Sequence, residues 1–350
     1  MKNRSLKLVA AFVIMLAASC NEPETTVTNI VHADGSVTRK VEMRNSSNKF
    51  EFSSLQVPVD SSWTITDSVE IGEKGDTVWV RKAEKLFRNI DEINLSYKRD
   101  SSYNRKFVRH TEFEKKFRWF STVYRFSETI DKRMARAYPL SDFLNDEELA
   151  WYYSPGYWNG TDILGADSLK FKILADSISD REEQWYMRSL VSEWIHEFDT
   201  LLKQRNEDSV LIADLLSGEN KMVEIVSGNE TYFDSLWSSG FILREFLGDS
   251  LGLKYQAEAD SAIDIAVNRF MENFKEYNFR ISMPGRITGS NGFADSSSVM
   301  IWPVRSEFFL AEPYEMWAVS RITHPWAWIV SALFILFVIT GIIVKTKKEG

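Results

Sequence analysis

The chain has 350 residues, 44% apolar, 13% aromatic and 26% charged, enough apolar material for one large or two modest folded domains. A net charge of -8 argues against a nucleic-acid binder, which needs a basic face, and against a polybasic membrane-surface protein except at the far C-terminus. The single cysteine, Cys20, excludes an intramolecular disulfide and a cysteine-built zinc site.

The N-terminus carries Lys2, Arg4 and Lys7, then an apolar run of 11 residues from Leu8 to Ala18. That run is too short to cross a bilayer. Ala17, Ala18 and Ser19 supply small residues before Cys20. Together these are the parts of a signal peptide over residues 1–19. A cysteine directly after the small residues resembles the lipobox of bacterial lipoproteins, although Leu16 stands four positions before it and not three. The resemblance implies that Cys20 begins the mature chain, its thiol in a diacylglycerol thioether and its amine carrying an acyl chain such as palmitate. Two or more chains anchor stably, at about 0.8 kcal/mol per buried CH₂.

Residues 20–28 are polar and read as a tether, and 29–140 read as mainly β. Asp34-Gly35 lies between two alternating runs, which is a hairpin signal. Strand-like runs follow at 49–59, 61–71, 76–87, 92–100 and 105–130. Within the last, Arg105, Arg109 and Arg118, with Lys106, Lys115 and Lys116, interleave with aromatics. On a strand, several of these charges share a face that can meet anionic headgroups or an acidic partner. The plainer alternative is a solvated sheet face, since Glu112 and Glu114 interrupt the run.

Residues 141–276 read as mainly helical, starting from Ser141 as an N-cap. The stretch WYYSPGYW (151–158) groups Trp151, Tyr152, Tyr153, Tyr157 and Trp158. Aromatic faces can hold a sugar ring or enter a membrane interface, or simply cover a core. The clearest helix is 180–204, where Met187, Leu190, Val191, Trp194, Ile195, Phe198, Leu201 and Leu202 recur at helical spacing. Shorter helices are expected at 208–216, 231–247 and 259–275, with Asp-Ser pairs at 208, 234 and 260 as caps. Strands return over 277–322, with turns at Pro284-Gly285 and Ser290-Asn291-Gly292. The order predicts an α+β fold: an antiparallel sheet built from both chain ends, with a helical block inserted.

Trp326 to Val344 is a run of 19 uncharged residues. As a helix it extends about 28 Å, close to the hydrocarbon thickness. Pro325 suits a first helical turn. Trp326 and Trp328 fit the aromatic belt on one side, and Lys345, Lys347 and Lys348 mark the cytosolic side. A transmembrane helix is therefore expected at 325–344, with a cytosolic tail at 345–350. With the signal peptide, this places residues 20 to 324 in the periplasm, anchored in the inner membrane, because outer-membrane spans are barrels.

Two stretches carry a resemblance. FRWFSTVYRFSETI (117–130) and ISMPGRITGSNGFADSSSVMIWPVRSEFFLAEPYEMWAVSRITHPWAW (281–328) resemble segments of uncharacterised Bacteroidota-type envelope lipoproteins with a C-terminal membrane helix. The chain is more loosely similar to LppM-like membrane-tethered proteins. The resemblance implies an envelope location and membrane lipid as a partner. It implies no catalytic residue.

No G-x-G-x-x-G, P-loop, G-x-S-x-G or H-E-x-x-H occurs, so no cofactor or metal is expected. His196-Glu197-Phe198-Asp199 lacks a second histidine and reads as a packed or solvated group. The expected function is a non-enzymatic binding or scaffolding module for an envelope protein or lipid partner. The alternative is an envelope hydrolase or transferase whose site is assembled from distant residues. Oligomeric state is not legible.

Overall fold

A computed structural model describes residues 24–50, 57–72, 75–158, 168–205, 210–228, 236–237, 239–272, 276–295, 297 and 299–349. Cys20 and the signal peptide lie outside these, as do 51–56 of the expected strand at 49–59. The chain opens with β1 (Glu24–Val31), β2 (Val37–Asn45), β3 (Thr64–Ile71) and β4 (Thr77–Phe87). Helix α1 (Ile90–Arg99) and the hairpin β5 (Arg109–Arg118) and β6 (Ser121–Ile130) follow. The helices α2 (Asp146–Tyr152), α3 (Ser168–Gln204), α4 (Val210–Ser217), α5 (Glu219–Ser227), α6 (Phe241–Lys254) and α7 (Gln256–Met271) come next. Then come β7 (Tyr277–Ser282), β8 (Arg286–Ser290), β9 (Phe293–Ala294), β10 (Met300–Val304), β11 (Tyr314–Thr323) and the final helix α8 (Pro325–Glu349).

The fold is α+β, and strands from both chain ends share each sheet. The larger sheet runs β3-β4-β2-β1-β7-β10-β9, and the smaller runs β5-β6-β11-β8. Two sheets replace the single one expected. The larger is mixed, because β1 and β7 pair in parallel. β1 alternates buried and partly exposed residues from Thr25 onward, so the expected tether at 24–28 is strand. The β1–β2 turn uses Gly35 at φ +97°, and the Phe113 ring comes within 3.0 Å of where a Cβ would sit there. Only glycine meets both demands.

The run 92–100 is helix α1 and not strand. Ile93, Leu95 and Tyr97 alternate in sequence, but capping decides the outcome. The Asn89 side chain accepts from the Glu92 N–H, and the Glu92 carboxylate accepts from the Arg88 N–H at 2.9 Å. Acids then fill the first turn and Lys98 and Arg99 the last, complementing the helix dipole. The Asn94 side-chain amide donates to the Thr111 carbonyl at 2.9 Å and accepts from the Thr111 N–H at 2.7 Å. A helix thereby closes the edge of β5 as a strand would.

The helical block is organised by α3, which begins at Ser168 and so is longer than expected. Its Ile178 and Trp185 belong to the core between the sheets. From Leu190 to Leu202 the same helix builds a second core with α4, α5, α6 and α7. Glu193 is fully buried at this join and accepts from the backbone N–H groups of Ala135 and Arg136. Ser141 lies in a 3₁₀ turn, and Asn145 caps α2 through a capping box with Glu148. Asp260-Ser261 falls inside α7, where Ser261 bonds back to the Ala257 carbonyl. Asp208-Ser209 and Asp234-Ser235 lie outside the described residues.

A buried ionic network joins the two sheets. Arg39 on β2 meets Glu128 on β6 at 2.5 Å, and neither side chain has any exposure. Arg39 also donates to Asn29 and Tyr97, and Tyr97 donates to Glu128 at 2.8 Å. Arg109 on β5 lies 4.0 Å from Glu128 on its other oxygen and donates to the Tyr277 hydroxyl. Burial works against the charge on Arg39, but Glu128 outweighs it and holds the guanidinium above its ordinary range. Glu128 therefore faces two buried cations at once. Glu128→Gln is expected to cost about 3–5 kcal/mol, because it leaves both guanidiniums uncompensated. Arg39→Met is expected to cost less, since Arg109 remains to balance Glu128. Chemical unfolding of the two detergent-solubilised variants tests this ranking.

Candidate functional site

The C-terminal strand runs almost directly into the apolar helix. β11 lies between β6 and β8 and ends at Thr323, and only His324 separates it from Pro325. Within α8, Pro325–Lys345 is long and apolar enough to cross a membrane, and 6% of its most apolar stretch is buried. A core helix would be mostly covered, so this one has no protein partner over most of its surface. The helix continues through the expected tail to Glu349, with Lys345, Lys347 and Lys348 in its last turns.

The junction is clamped by the tip of the β5–β6 hairpin. The His324 N–H donates to the Phe120 carbonyl at 2.9 Å. The His324 ring bonds the Thr122 hydroxyl at 2.9 Å and stacks on Phe117. The Trp119 indole N–H donates to the Ser331 hydroxyl, two turns into α8. Trp119 meets Trp326 edge-on at 5.3 Å, and Phe120 packs against Trp328 at 4.4 Å. Phe117, Trp119 and Phe120 remain 62%, 48% and 39% exposed. A hairpin turn in water favours Asn, Asp or Gly; two exposed aromatics there, against the first turns of an apolar helix, match an interfacial aromatic belt.

The basic run divides between the two ends of β5. Arg105 is exposed before the strand, Arg109 is buried in the ionic network, and Arg118 is exposed at the far end. The nine steps from Arg109 to Arg118 span about 30 Å, so the three arginines do not form one surface. Arg109 is corrected from a surface group to a core group: its parity on β5 matches Thr111 and Phe113, which face inward.

The aromatic group at 151–158 packs inward as well. Tyr152 is fully buried, and Trp158, Phe308 and Tyr153 surround its ring at 5.4–5.5 Å. The Trp158 indole donates to the Tyr152 carbonyl, and Arg305 lies 3.9 Å over the Trp158 ring. Trp151, Tyr153, Tyr157 and Trp158 are partly buried against the same core. These residues cover the core and present no open aromatic shelf. Glu182 on α3 accepts from both the Tyr152 and Tyr186 hydroxyls at 2.9 Å. Burial raises its carboxyl above the ordinary range despite those bonds.

His196 is partly exposed on α3, while its neighbours are already paired: Glu197 with Arg269 and Asp199 with Lys203. Among the described residues, no group of three or more His, Cys, Asp or Glu side chains could share a metal ion. A shallow groove beside the β7–β8 turn is lined by Ser282, Met283, Arg286, Ile287, Ser297 and Val299. Its lining offers hydroxyls and one guanidinium but no carboxylate or imidazole to act as general base.

Because the folded state raises the Glu182 pKa, its contribution to stability is present at low pH and is lost as pH rises through the carboxyl range. Glu182→Gln keeps an acceptor for both tyrosines and does not titrate. It is expected to melt higher than the parent at pH 7, with the difference shrinking toward pH 4. Thermal melts at both pH values test this; a pH-independent difference contradicts it.

No family model, no curated protein and no solved structure matches this chain.

Proposed function

We propose that this protein is a membrane-anchored envelope lipoprotein, with its folded domain in the periplasm and α8 in the inner membrane. In this reading it is a non-enzymatic binding or scaffolding module for a protein or lipid partner. The observation that carries the reading is the junction: a central strand of the smaller sheet passes through one residue into the apolar helix, and the hairpin tip grips that helix. Such a joint fixes the domain against a bilayer and does not leave it on a flexible leash. The lysines in the last turns of α8 support the orientation. The lone cysteine after a signal-like apolar run supports lipid attachment at Cys20.

Metabolic labelling with an alkyne palmitate analogue should label the parent chain, and Cys20→Ala should abolish the label. Equal labelling of both would remove the lipid anchor from the proposal. Protease added to spheroplasts should digest the domain and spare a fragment containing α8. Protection of the domain would reverse the orientation.

A further inference from the structure

The strand register of the smaller sheet gathers cations from three separate stretches of sequence at the end where α8 begins. Lys116 pairs across with Val123, Val123 with Arg321, and Arg321 with Arg286. Directly paired residues share a face, so Lys116, Arg321 and Arg286 lie on one face in one row. The next row toward the helix holds Arg118, Ser121 and Thr323. This is the outer face of the sheet: Lys116, Arg118, Arg286, Arg321 and Thr323 are exposed. The opposite parity carries the core residues Tyr124, Phe126 and Ala318.

The two rows contain no carboxylate. Lys116 is satisfied by Glu114, one row farther from the helix, at 2.6 Å. Arg118, Arg286 and Arg321 have no carboxylate partner among the described residues. Elsewhere along this face charges are matched, as in the Arg125–Glu315 pair at 2.8 Å. A chain of net charge -8 thus places three unmatched arginines beside its apolar helix.

The backbone holds this arrangement in place. The β7–β8 turn has Gly285 at φ +82°, where an added Cβ would come within 2.6 Å of the Arg321 carbonyl oxygen. The Ser320 hydroxyl donates to the Pro284 carbonyl at 2.7 Å. The turn that presents Arg286 is therefore pressed onto β11 next to Arg321. The exposed rings of Trp119 and Phe120 lie at the tip of the same hairpin as Arg118. Only Ile322, Thr323 and His324 separate Arg321 from the first residue of α8, a backbone distance of about 13 Å.

We propose that this end of the sheet is a docking surface for the anionic phospholipid headgroups of the bilayer that α8 spans. Arg118, Arg286 and Arg321 bind the phosphates, and Trp119 and Phe120 enter the headgroup layer. Guanidinium groups pair with phosphate in a fixed two-pronged geometry, and basic residues near a bilayer select anionic lipid. Aromatic side chains occupy the same layer. The proposal rests on α8 crossing the bilayer, as in the function proposed above.

The test uses the full chain reconstituted in vesicles of phosphatidylcholine with spin-labelled phosphatidylglycerol or spin-labelled phosphatidylcholine as the probe lipid. The parent is expected to restrict the phosphatidylglycerol probe about twofold or more over the phosphatidylcholine probe. The Arg118→Gln, Arg286→Gln, Arg321→Gln triple variant is expected to lose most of that preference. An unchanged preference in the triple variant assigns the selectivity to the C-terminal lysines and overturns the proposal; no preference in the parent also overturns it. A second measurement places single spin labels in a Cys20→Ser background, at Phe120→Cys, Glu112→Cys and Phe337→Cys. The label at 120 is expected to report the headgroup layer, the one at 112 water and the one at 337 the bilayer interior. A membrane signal at 337 with water at 120 refutes the docking surface alone. Water at 337 refutes the membrane span itself.

Discussion

The architecture depends on one carboxylate. Glu128 projects from β6 into the space between the sheets and is contacted there by Arg39 of β2, Tyr97 of α1 and Thr111 of β5, with Arg109 close by. These groups come from three different elements, and Arg39 is separated from Glu128 by 89 residues. An apolar contact tolerates sliding, but a desolvated ion pair does not, because every displacement exposes an unpaired charge to a low-dielectric medium. The network therefore fixes the register of one sheet over the other. It contributes more to the uniqueness of the packing than to net stability, since buried ion pairs roughly offset their own desolvation.

Most of the fold was legible where a single periodicity dominated. The alternation in β2 and β7, the Asp34-Gly35 turn and the apolar face of α3 all follow from side chains that occur at one spacing and face one core, whereas the polar start of β1, Glu24 to Thr28, reads as a tether. Misreadings arose where two signals competed. In α1, Ile93 and Leu95 alternate like a strand, yet Asn89 and the terminal charges select helix. In the basic run, sequence proximity suggested one surface, but Arg109 shares the inward parity of its strand and Arg105 precedes it. The division into two sheets and the parallel β1–β7 pair could not be read, since nothing local records which strand neighbours which.

The candidate site was partly legible in the same sense. The apolar helix and its flanking tryptophans were evident from composition. The hairpin tip was not legible: 105–130 reads as one strand-like run, because Trp119-Phe120 supplies none of the residues that mark a turn. Arg286 and Arg321 were not legible as a pair: 35 positions separate them in number, and a bulged β8–β11 ladder brings them together. The aromatic group at 151–158 failed in the opposite direction. It stands out in the sequence, but its rings are used against Phe308 and Tyr314.

The placement of β11 has a mechanical consequence. The strand pairs along ten residues with β6 on one side and along four with β8 on the other, and the apolar helix leaves from its end. Any pull between the helix and the domain acts along the strand axis, across ladder bonds that lie perpendicular to it. The bonds are then loaded together in shear; they do not open one at a time as they would if β11 were peeled from an edge. A domain held this way resists a pull on its C-terminal helix, and it yields only when a whole ladder fails at once.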